Sequence, residues 1–336
     1  MEFLSEYGMF LLKAVTIVVA LLLAVGGIIG LASKQKLQKG ELQITSLSDA
    51  LADTEAQARE AILSKDELKA WRKAQKKASK DNKAQSDSGK IYVIDFKGSM
   101  DAHEVESLRN EVSTVINLAE EKDEVLLRLE SPGGVVHGYG LAASQLQRLR
   151  DHNIHLTASV DMVAASGGYM MACVANKIIA APFSILGSIG VIAQLPNFNK
   201  LLKHNHIEFE QHTAGDFKRT VTMFGENNDS GREKFKQELE EIHEMFKTFV
   251  SSHRPELDIK KVATGETWHG TKAKDVGLVD DIQTSDDFLL KHFRDKPIFK
   301  VEYRRKPTMA ERLSNSASLT INGVLSKLWE KNQTKV

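Results

Sequence analysis

The chain has 336 residues, of which 42% are hydrophobic and 27% are charged, and this composition excludes a disordered or a fibrous protein. Its 45 basic residues balance 45 acidic residues, so no basic surplus exists that would favour nucleic acid as a partner. The single cysteine, Cys173, excludes an intramolecular disulfide framework and any multi-thiolate metal site. These totals favour an α/β protein with one large domain and accessory segments.

The first distinctive segment is the uncharged, apolar run over residues 14–32. As a helix it would be roughly 28 Å long, which matches the hydrocarbon core of a bilayer. A cleaved secretory signal is the alternative, but its apolar core is shorter and its leader is positively charged, whereas residues 1–13 carry Glu2 and Glu6 against Lys13. The sequence therefore predicts a membrane anchor over residues 1–33 that binds the lipid bilayer through a single span.

A charged segment follows the anchor over residues 34–89, with apolar residues at loosely helical spacing. Its part from 65 to 83 carries eight basic and three acidic residues, and a polar stretch closes it at 81–89. This pattern predicts a charged helical stalk and linker. Two interpretations of its basic face stay open, contact with anionic lipid and simple solvation.

From Lys90 onward, short apolar strands alternate with amphipathic helices, which indicates a mainly parallel sheet covered by helices. We assign residues 90–303 to this α/β domain and residues 304–336 to an amphipathic C-terminal tail. The predicted strands cover residues 91–96, 125–129, 154–160, 177–181, 189–193, 207–212 and 298–303, and the predicted helices cover 101–121, 139–151, 168–174, 230–252 and 258–264.

Two glycine-rich turns follow predicted strands, at the sheet edge where open α/β folds place their sites. The first is SPGG at residues 131–134, and the second is AASGGY at residues 164–169. Small neighbours leave Ser166 exposed as a nucleophile needs to be, and the N–H of Gly167 beside it is placed to bind an oxyanion. The structural alternative is a tight turn in which Ser166 only caps the following helix.

A nucleophilic serine needs a base, and the residues alone leave two kinds of base open. Histidines lie nearby in sequence at His137, His152 and His155, although none stands in a motif that positions it. A lysine is the other kind, because burial favours its neutral form. Lys218 lies in the turn-like stretch AGDFKR at residues 214–219, where an isolated lysine is ordinarily solvated.

Three segments together, SPGG at 131–134, the run at 165–191 and AGDFKR at 214–219, closely resemble the signal-peptide-peptidase A (protease IV) family of serine peptidases. The N-terminal anchor and charged stalk are most similar to its SohB branch. The resemblance covers roughly residues 90–300 in order and spacing. It implies a ClpP/crotonase-like fold and the activity of a serine-type endopeptidase.

The resemblance also implies a role for each matching residue. Ser166 matches the nucleophile and Lys218 the general base of a Ser-Lys dyad. Ser188 matches the serine that orients the lysine, and Gly133 and Gly167 match the backbone donors of the oxyanion hole. The implied reaction needs no metal and no cofactor.

A few residues depart from the family pattern or suggest other chemistry. Asn176 and Phe183 stand where an aspartate and a small or polar residue are more typical, which affects the expected substrate shape and leaves the dyad intact. Cys173 is predicted to be a core residue. His204 and His206 suggest a metal site, but closely spaced histidines in a loop or edge strand are ordinarily solvated.

The implied partners are peptide substrates, such as membrane-associated peptides or remnant signal peptides, and further copies of the chain in a homo-oligomeric ring. The implied location is the bacterial inner membrane. Family members place the domain away from the cytoplasm, whereas the lysines at 34, 36 and 39 favour the cytoplasmic side. The rival functions are a crotonase-type acyl-CoA enzyme and a catalytically silent membrane scaffold, and neither requires both Ser166 and Lys218.

Overall fold

The computed structural model describes residues 8–13, 15–17, 40–83 and 88–304. Residues 8–13 and 15–17 are helical, while the rest of the predicted anchor and the tail after residue 304 lie outside the described residues. No helix in these described stretches combines the length and the apolar character that a membrane crossing requires. The compact unit considered below spans Leu42–Tyr303.

The described elements alternate between strands and helices along most of the chain. The strands are β1 (Glu41–Ser46), β2 (Ile91–Lys97), β3 (Glu124–Glu130), β4 (His155–Val160), β5 (Val163–Ala165), β6 (Lys177–Ala180), β7 (Ile185–Gly187), β8 (Thr267–His269), β9 (Asp281–Ile282) and β10 (Ile298–Arg304). The helices are α1 (Leu47–Ile62), α2 (Lys65–Lys83), α3 (Val105–Leu118), α4 (Val136–Asp151), α5 (Gly167–Ala172), α6 (Asn199–His204), α7 (Asp229–His253), α8 (Ile259–Val262), α9 (Gly270–Asp275) and α10 (Ser285–His292).

A seven-stranded sheet in the order β1-β10-β2-β3-β4-β6-β9 forms the centre of the unit. The pairs from β10 through β9 are parallel, and β2 and β3 pair along seven residues from Ile91 opposite Glu124 to Lys97 opposite Glu130. The α/β fold with a mainly parallel sheet, predicted from the alternating pattern, is confirmed.

Both faces of the central sheet are buried, as helix-covered parallel sheets require. Along β2, Tyr92, Ile94 and Phe96 belong to a large core that α3, α4, α5 and α7 cover. Ile91 and Val93 point to the opposite core, which includes Phe288 and Leu289 of α10. The strands in the middle of the sheet are therefore apolar on both sides, and their carboxyl ends lie on a rigid base.

A second, three-stranded sheet in the order β5-β7-β8 positions the candidate site. β5 and β7 are parallel with Ala165 opposite Gly187, and β8 is antiparallel to β7. Because the two parallel strands end at the same level, the residues that follow them emerge side by side. Those residues are Ser166 and Ser188.

The segment predicted as a helical stalk contains both helix and strand. Helices α1 and α2 form as the spacing predicts, but β1 precedes them and lies at the edge of the main sheet beside β10. Leu47 packs against the second core, and Ser48 Oγ accepts the N–H of Ile298 at 2.8 Å. These contacts place residues from Leu42 onward in the same compact unit as the α/β domain, whereas the sequence pattern places the start of that domain at Lys90.

Two predicted strands, at residues 189–193 and 207–212, are absent among the described residues, because no strand lies beside either run to pair with it. In place of a strand at 189–193, the chain forms β7 at Ile185–Gly187, opposite β5. Residues 207–212 are exposed and have no strand structure. We call residues 191–227 the arm; α6 is the one regular element in it.

Candidate active site

Ser166 occupies a sharp turn between β5 and α5. Its backbone angles, φ 52° and ψ −119°, are strained for a residue with a side chain. The turn is held in place because the Ser166 N–H donates to the Gly187 carbonyl at 2.8 Å and the Ser166 carbonyl accepts the Met170 N–H at 3.0 Å. Such strand-to-helix turns lift a hydroxyl out of the fold.

The Ser166 hydroxyl does not act as a cap. Ser166 precedes α5, yet its side chain makes no capping hydrogen bond to that helix. The residue is half-buried, and its Oγ has no hydrogen-bond partner in the described part of the chain. The purely structural interpretation of this serine therefore has no support in the geometry, and the hydroxyl is available to a substrate.

The SPGG turn lies directly against this serine. Gly133 has a φ of +88°, and a Cβ added there would lie 2.7 Å from Ser166 Cβ and 2.8 Å from the nitrogen of Gly167. A side chain is excluded at that distance, so only glycine allows the two turns to approach this closely. Ser131, two residues before Gly133, fixes the approach because its N–H donates to the Val163 carbonyl at 2.8 Å and its own carbonyl accepts the Ala165 N–H at 3.0 Å.

The two predicted oxyanion donors differ in their surroundings. Gly167 is the first residue of α5, and its N–H has no acceptor among the residues the structure describes. The N–H of Gly133 donates to Ser131 Oγ at 3.1 Å, which is within the normal range for such a bond. Both groups lie within a few ångströms of Ser166, where charge develops on a carbonyl oxygen under attack.

Ser188 lies beside Ser166, as the pairing of β5 with β7 requires. It has a φ of 51°, close to that of Ser166, and it is half-buried. Its N–H donates to the Glu266 carbonyl at 2.6 Å, which fixes the turn against the loop before β8. The two serines therefore form a pair of strained turns at one edge of the small sheet.

Lys218 is exposed and lies in the arm, beyond the end of α6. Its N–H donates to the Gly215 carbonyl at 3.2 Å, and the ring of its neighbour Phe217 lies 5.8 Å from Lys234 Nζ. No hydrogen bond joins Lys218 to Ser166 within the described residues. The structure thus brings Ser166, Ser188 and the two glycines together in one chain and leaves the lysine at the surface.

The alternative bases also lie away from Ser166. His137, His152 and His155 are all exposed, and His152 Nδ1 contacts the Arg148 carbonyl at 2.7 Å. None of the three forms a hydrogen bond with Ser166 in the part of the chain that is described. A histidine base therefore has no geometric support in this structure.

Cys173 is fully buried, as predicted for a core residue, and its burial raises the pKa of the thiol well above the ordinary value. A thiol with a raised pKa is a poor nucleophile. Across the described ranges, no cluster of three or more histidine, cysteine or acidic residues is arranged to hold a metal ion, and this includes the vicinity of His204 and His206.

A polar network that the sequence pattern does not predict lies next to the site. Ser131 and Tyr139 are fully buried and share a hydrogen bond between their hydroxyls, and Tyr139 Oη donates to the Ser99 carbonyl at 2.8 Å. Ser131 begins the SPGG motif and was a visible candidate. Tyr139 was not, because a tyrosine at a core position of an amphipathic helix gives no local signal of a polar partner.

The fold and the site define the class of protein. The class is an α/β protein with a strained serine at the carboxyl end of a parallel strand, beside a second glycine-rich turn and a backbone N–H that has no acceptor among the described residues.

Comparison with known proteins identifies the family. The chain matches peptidase family S49 N-terminal over residues 2–146 and peptidase family S49 over residues 148–296. The probable protease SohB of Haemophilus influenzae is 48% identical over 329 residues, which cover 94% of this chain and 93% of that protein. The probable protease SohB of Buchnera aphidicola subsp. Schlechtendalia chinensis is 50% identical over 303 residues, which cover 86% of this chain and 99% of that protein. The chain belongs to peptidase family S49, in its SohB branch.

A solved structure of a membrane-bound stomatin-specific protease is also similar in part. It shares 14% sequence identity with this chain at a TM-score of 0.39, and the alignment covers 61% of this chain and 84% of that chain.

Proposed function

We propose that this peptidase is a serine-type endopeptidase in which Ser166 is the nucleophile. The observation that supports it most strongly is the strained Ser166 turn, whose hydroxyl makes no capping bond and whose Cβ packs closely against Gly133. Strain of this kind costs roughly 1–3 kcal/mol, and it persists where a function requires the side chain to be displayed.

The proposed mechanism uses Lys218 as the base. Neutral Lys218 Nζ accepts the proton of Ser166 Oγ as Oγ bonds to the carbonyl carbon of the scissile peptide. The N–H groups of Gly167 and Gly133 stabilise the resulting oxyanion. The protonated lysine then gives its proton to the leaving amine, and a water molecule hydrolyses the acyl-enzyme with Lys218 again as the base.

The exposed position of Lys218 bears on how the dyad forms. The arm that carries it presents large apolar side chains to solvent, among them Ile192, Leu201, Ile207 and Phe217. Exposed apolar surface of this extent favours association with another protein surface. We propose that the arms pack together in a homo-oligomeric ring, and that the Lys218 of one copy completes the site around the Ser166 of its neighbour.

Labelling of Ser166 tests the nucleophile. The detergent-solubilised full chain should react with a fluorophosphonate probe at Ser166 and cleave peptides, and Ser166→Ala should abolish both. Lys218→Ala should also abolish cleavage, while Lys203→Ala, an exposed arm lysine paired with Glu226 at 2.9 Å, is the matched control and should retain it. Normal cleavage by Ser166→Ala or Lys218→Ala would disprove the dyad.

Co-expression of two inactive variants tests how the dyad is assembled. If the lysine comes from a neighbouring copy, random mixing of Ser166→Ala with Lys218→Ala chains should restore about a quarter of the sites in a closed ring. Because only a neutral amine can accept the proton of Ser166, kcat/KM should rise with pH along one ionisation. A maximum near pH 6 that survives Lys218→Ala would instead make a histidine the base.

The remaining parts of the proposal concern fold class, membrane and substrate. A ClpP/crotonase-like fold is supported by the parallel sheet with two glycine-rich turns at one edge. The apolar run over residues 14–32 supports anchoring in a bacterial inner membrane. The family resemblance supports a catalytic domain on the side away from the cytoplasm, against the lysines at 34, 36 and 39, and membrane-associated peptides or remnant signal peptides as substrates. Resistance of the full chain to carbonate extraction would support the membrane anchor. Its digestion by protease added to spheroplasts would support a catalytic domain outside the cytoplasm.

A further inference from the structure

In the hydroxyl network beneath the candidate site, donors and acceptors can be assigned in only one way. Tyr139 Oη carries one hydrogen, and the Ser99 carbonyl can only accept, so that hydrogen is donated to Ser99. The contact between Tyr139 and Ser131 must then use the Ser131 hydrogen, and Ser131 Oγ accepts the N–H of Gly133. The result is a one-way chain from the Gly133 N–H through two hydroxyls to a backbone carbonyl.

The chain of hydroxyls has no room to move. A Cβ added at Gly98 would lie 2.4 Å from Tyr139 Oη and 2.7 Å from Ser131 Oγ, and one added at Gly168 would lie 2.6 Å from the Ser131 carbonyl oxygen. The backbone at Gly98 therefore packs closely against both hydroxyls, and the backbone at Gly168 packs against the backbone of Ser131. Buried polar groups that are fully paired and tightly enclosed hold a unique geometry.

Tyr139 contacts both sides of the candidate oxyanion hole. Its ring lies against Gly167, where an added Cβ would be 2.3 Å from Tyr139 Cγ. Its hydroxyl, through Ser131, holds the N–H of Gly133. One rigid side chain thus sets the separation between the turn that carries Ser166 and the SPGG turn.

We propose that Ser131 and Tyr139 are positioning residues that hold the SPGG turn at the distance from Ser166 and Gly167 that oxyanion binding requires. This inference rests on the proposed serine mechanism. The bond of 3.1 Å from the Gly133 N–H to Ser131 Oγ fixes this turn, and Gly133 packs directly against Ser166, where the oxyanion would form. The network therefore acts on the tetrahedral state and contributes little to ground-state binding of the peptide.

The test compares two buried tyrosines that each lose one hydroxyl. Tyr139→Phe removes the network, whereas Tyr169→Phe removes a hydroxyl that donates to the Leu278 carbonyl at 3.0 Å, away from the SPGG turn. Both tyrosines are fully buried. We expect Tyr139→Phe to lower kcat by about 10- to 100-fold with KM changed less than about twofold, and Tyr169→Phe to leave kcat within about twofold.

A pair of inhibitors separates positioning from general loosening. A peptide aldehyde forms a tetrahedral adduct with a serine, and the matching peptide alcohol does not. Tyr139→Phe should weaken the aldehyde by about 10-fold and leave the alcohol unchanged, since only the adduct places an oxyanion between the two turns. Equal weakening of both inhibitors, or equal kcat for Tyr139→Phe and Tyr169→Phe, would overturn the inference.

Two further outcomes are distinguishable. If Tyr139→Phe fails to fold by near-ultraviolet circular dichroism, Ser131→Ala removes one oxygen from the same network and must show the same split between kcat and KM. If the unmodified protein forms no adduct with the aldehyde at Ser166, the proposed function itself is wrong, and this inference falls with it.

Discussion

The close approach of Gly133 to Ser166 predicts the outcome of replacing Gly133 by alanine. The added Cβ would lie 2.7 Å from Ser166 Cβ and 2.8 Å from both the Ala165 carbonyl oxygen and the Gly167 nitrogen. Two of these three atoms are backbone, so the turns themselves must move apart by several tenths of an ångström. The φ of +88° adds strain of its own, because an alanine rarely adopts it.

The expected magnitude follows from these two effects. Left-handed strain costs about 1–2 kcal/mol and overpacking costs about 1–3 kcal/mol, so Gly133→Ala should lower the free energy of unfolding by about 2–5 kcal/mol. Displacement of the oxyanion donors should lower kcat/KM by at least about 100-fold. Urea unfolding gives the first quantity, and steady-state cleavage of a fluorogenic peptide gives the second.

Gly140→Ala is the matched control within the same segment of chain. Gly140 lies inside α4, and a Cβ added there would meet no atom within 4 Å. Alanine in a helix interior is favoured over glycine by about 0.5–1 kcal/mol, so this variant should be slightly more stable and fully active. If Gly133→Ala matched Gly140→Ala in both stability and kcat/KM, the close packing of the two turns would have no catalytic meaning.

Three other predictions concern the lysine, the metal requirement and the pH dependence of stability. Ser188→Ala should lower kcat by about 10- to 100-fold, because it loosens the base without removing it, and an unchanged rate would make Ser188 a turn residue only. A metal chelator should leave the cleavage rate unchanged, whereas a loss restored by added metal would contradict the dyad mechanism. Desolvation, reinforced by Glu302, raises the pKa of buried Glu111 to about 7 from 4.5. The folded state therefore binds this proton more tightly than the unfolded state, which adds up to about 3 kcal/mol to the free energy of unfolding. This contribution is complete below pH 4.5 and is lost as the pH rises through 7. Glu111→Gln keeps an oxygen that accepts the Tyr303 N–H, so it should reduce the pH dependence of the free energy of unfolding, measured in urea between pH 4.5 and 8. A pH dependence equal to that of the unmodified protein would exclude Glu111 as its cause.

Local patterns were sufficient for most of the central sheet and for the nucleophile turn. The strands β2, β3, β4 and β6 are short apolar runs between amphipathic helices, and such runs form parallel sheets wherever helices cover both faces. The turn at Ser166 and Gly167 is readable for the same reason, since small residues directly after an apolar strand permit a sharp turn into a helix. The family resemblance assigned Ser188 and Gly133 to the same site.

Where the local sequence pattern predicted strands wrongly, the pairing between strands determined which residues form strands. An apolar run forms a strand only where another strand lies beside it. Residues 189–193 therefore form no strand, β7 forms just before them, and β1 forms at the sheet edge next to β10. Exposure of Lys218 likewise depends on what packs against the arm, and no property of AGDFKR encodes that.

The sequence by itself determined the α/β class, the two glycine-rich turns and the serine in the second of them, because periodicity and backbone freedom are properties of neighbouring residues. Only the tertiary structure decided that Ser188 stands beside Ser166 through the register of β5 with β7, and that Tyr139 joins the two turns from within the core. Residues far apart in sequence meet only after the strands have paired and the helices have packed. The hydrogen bonds and contacts that give a side chain its role are therefore set by long-range packing, which no local pattern contains.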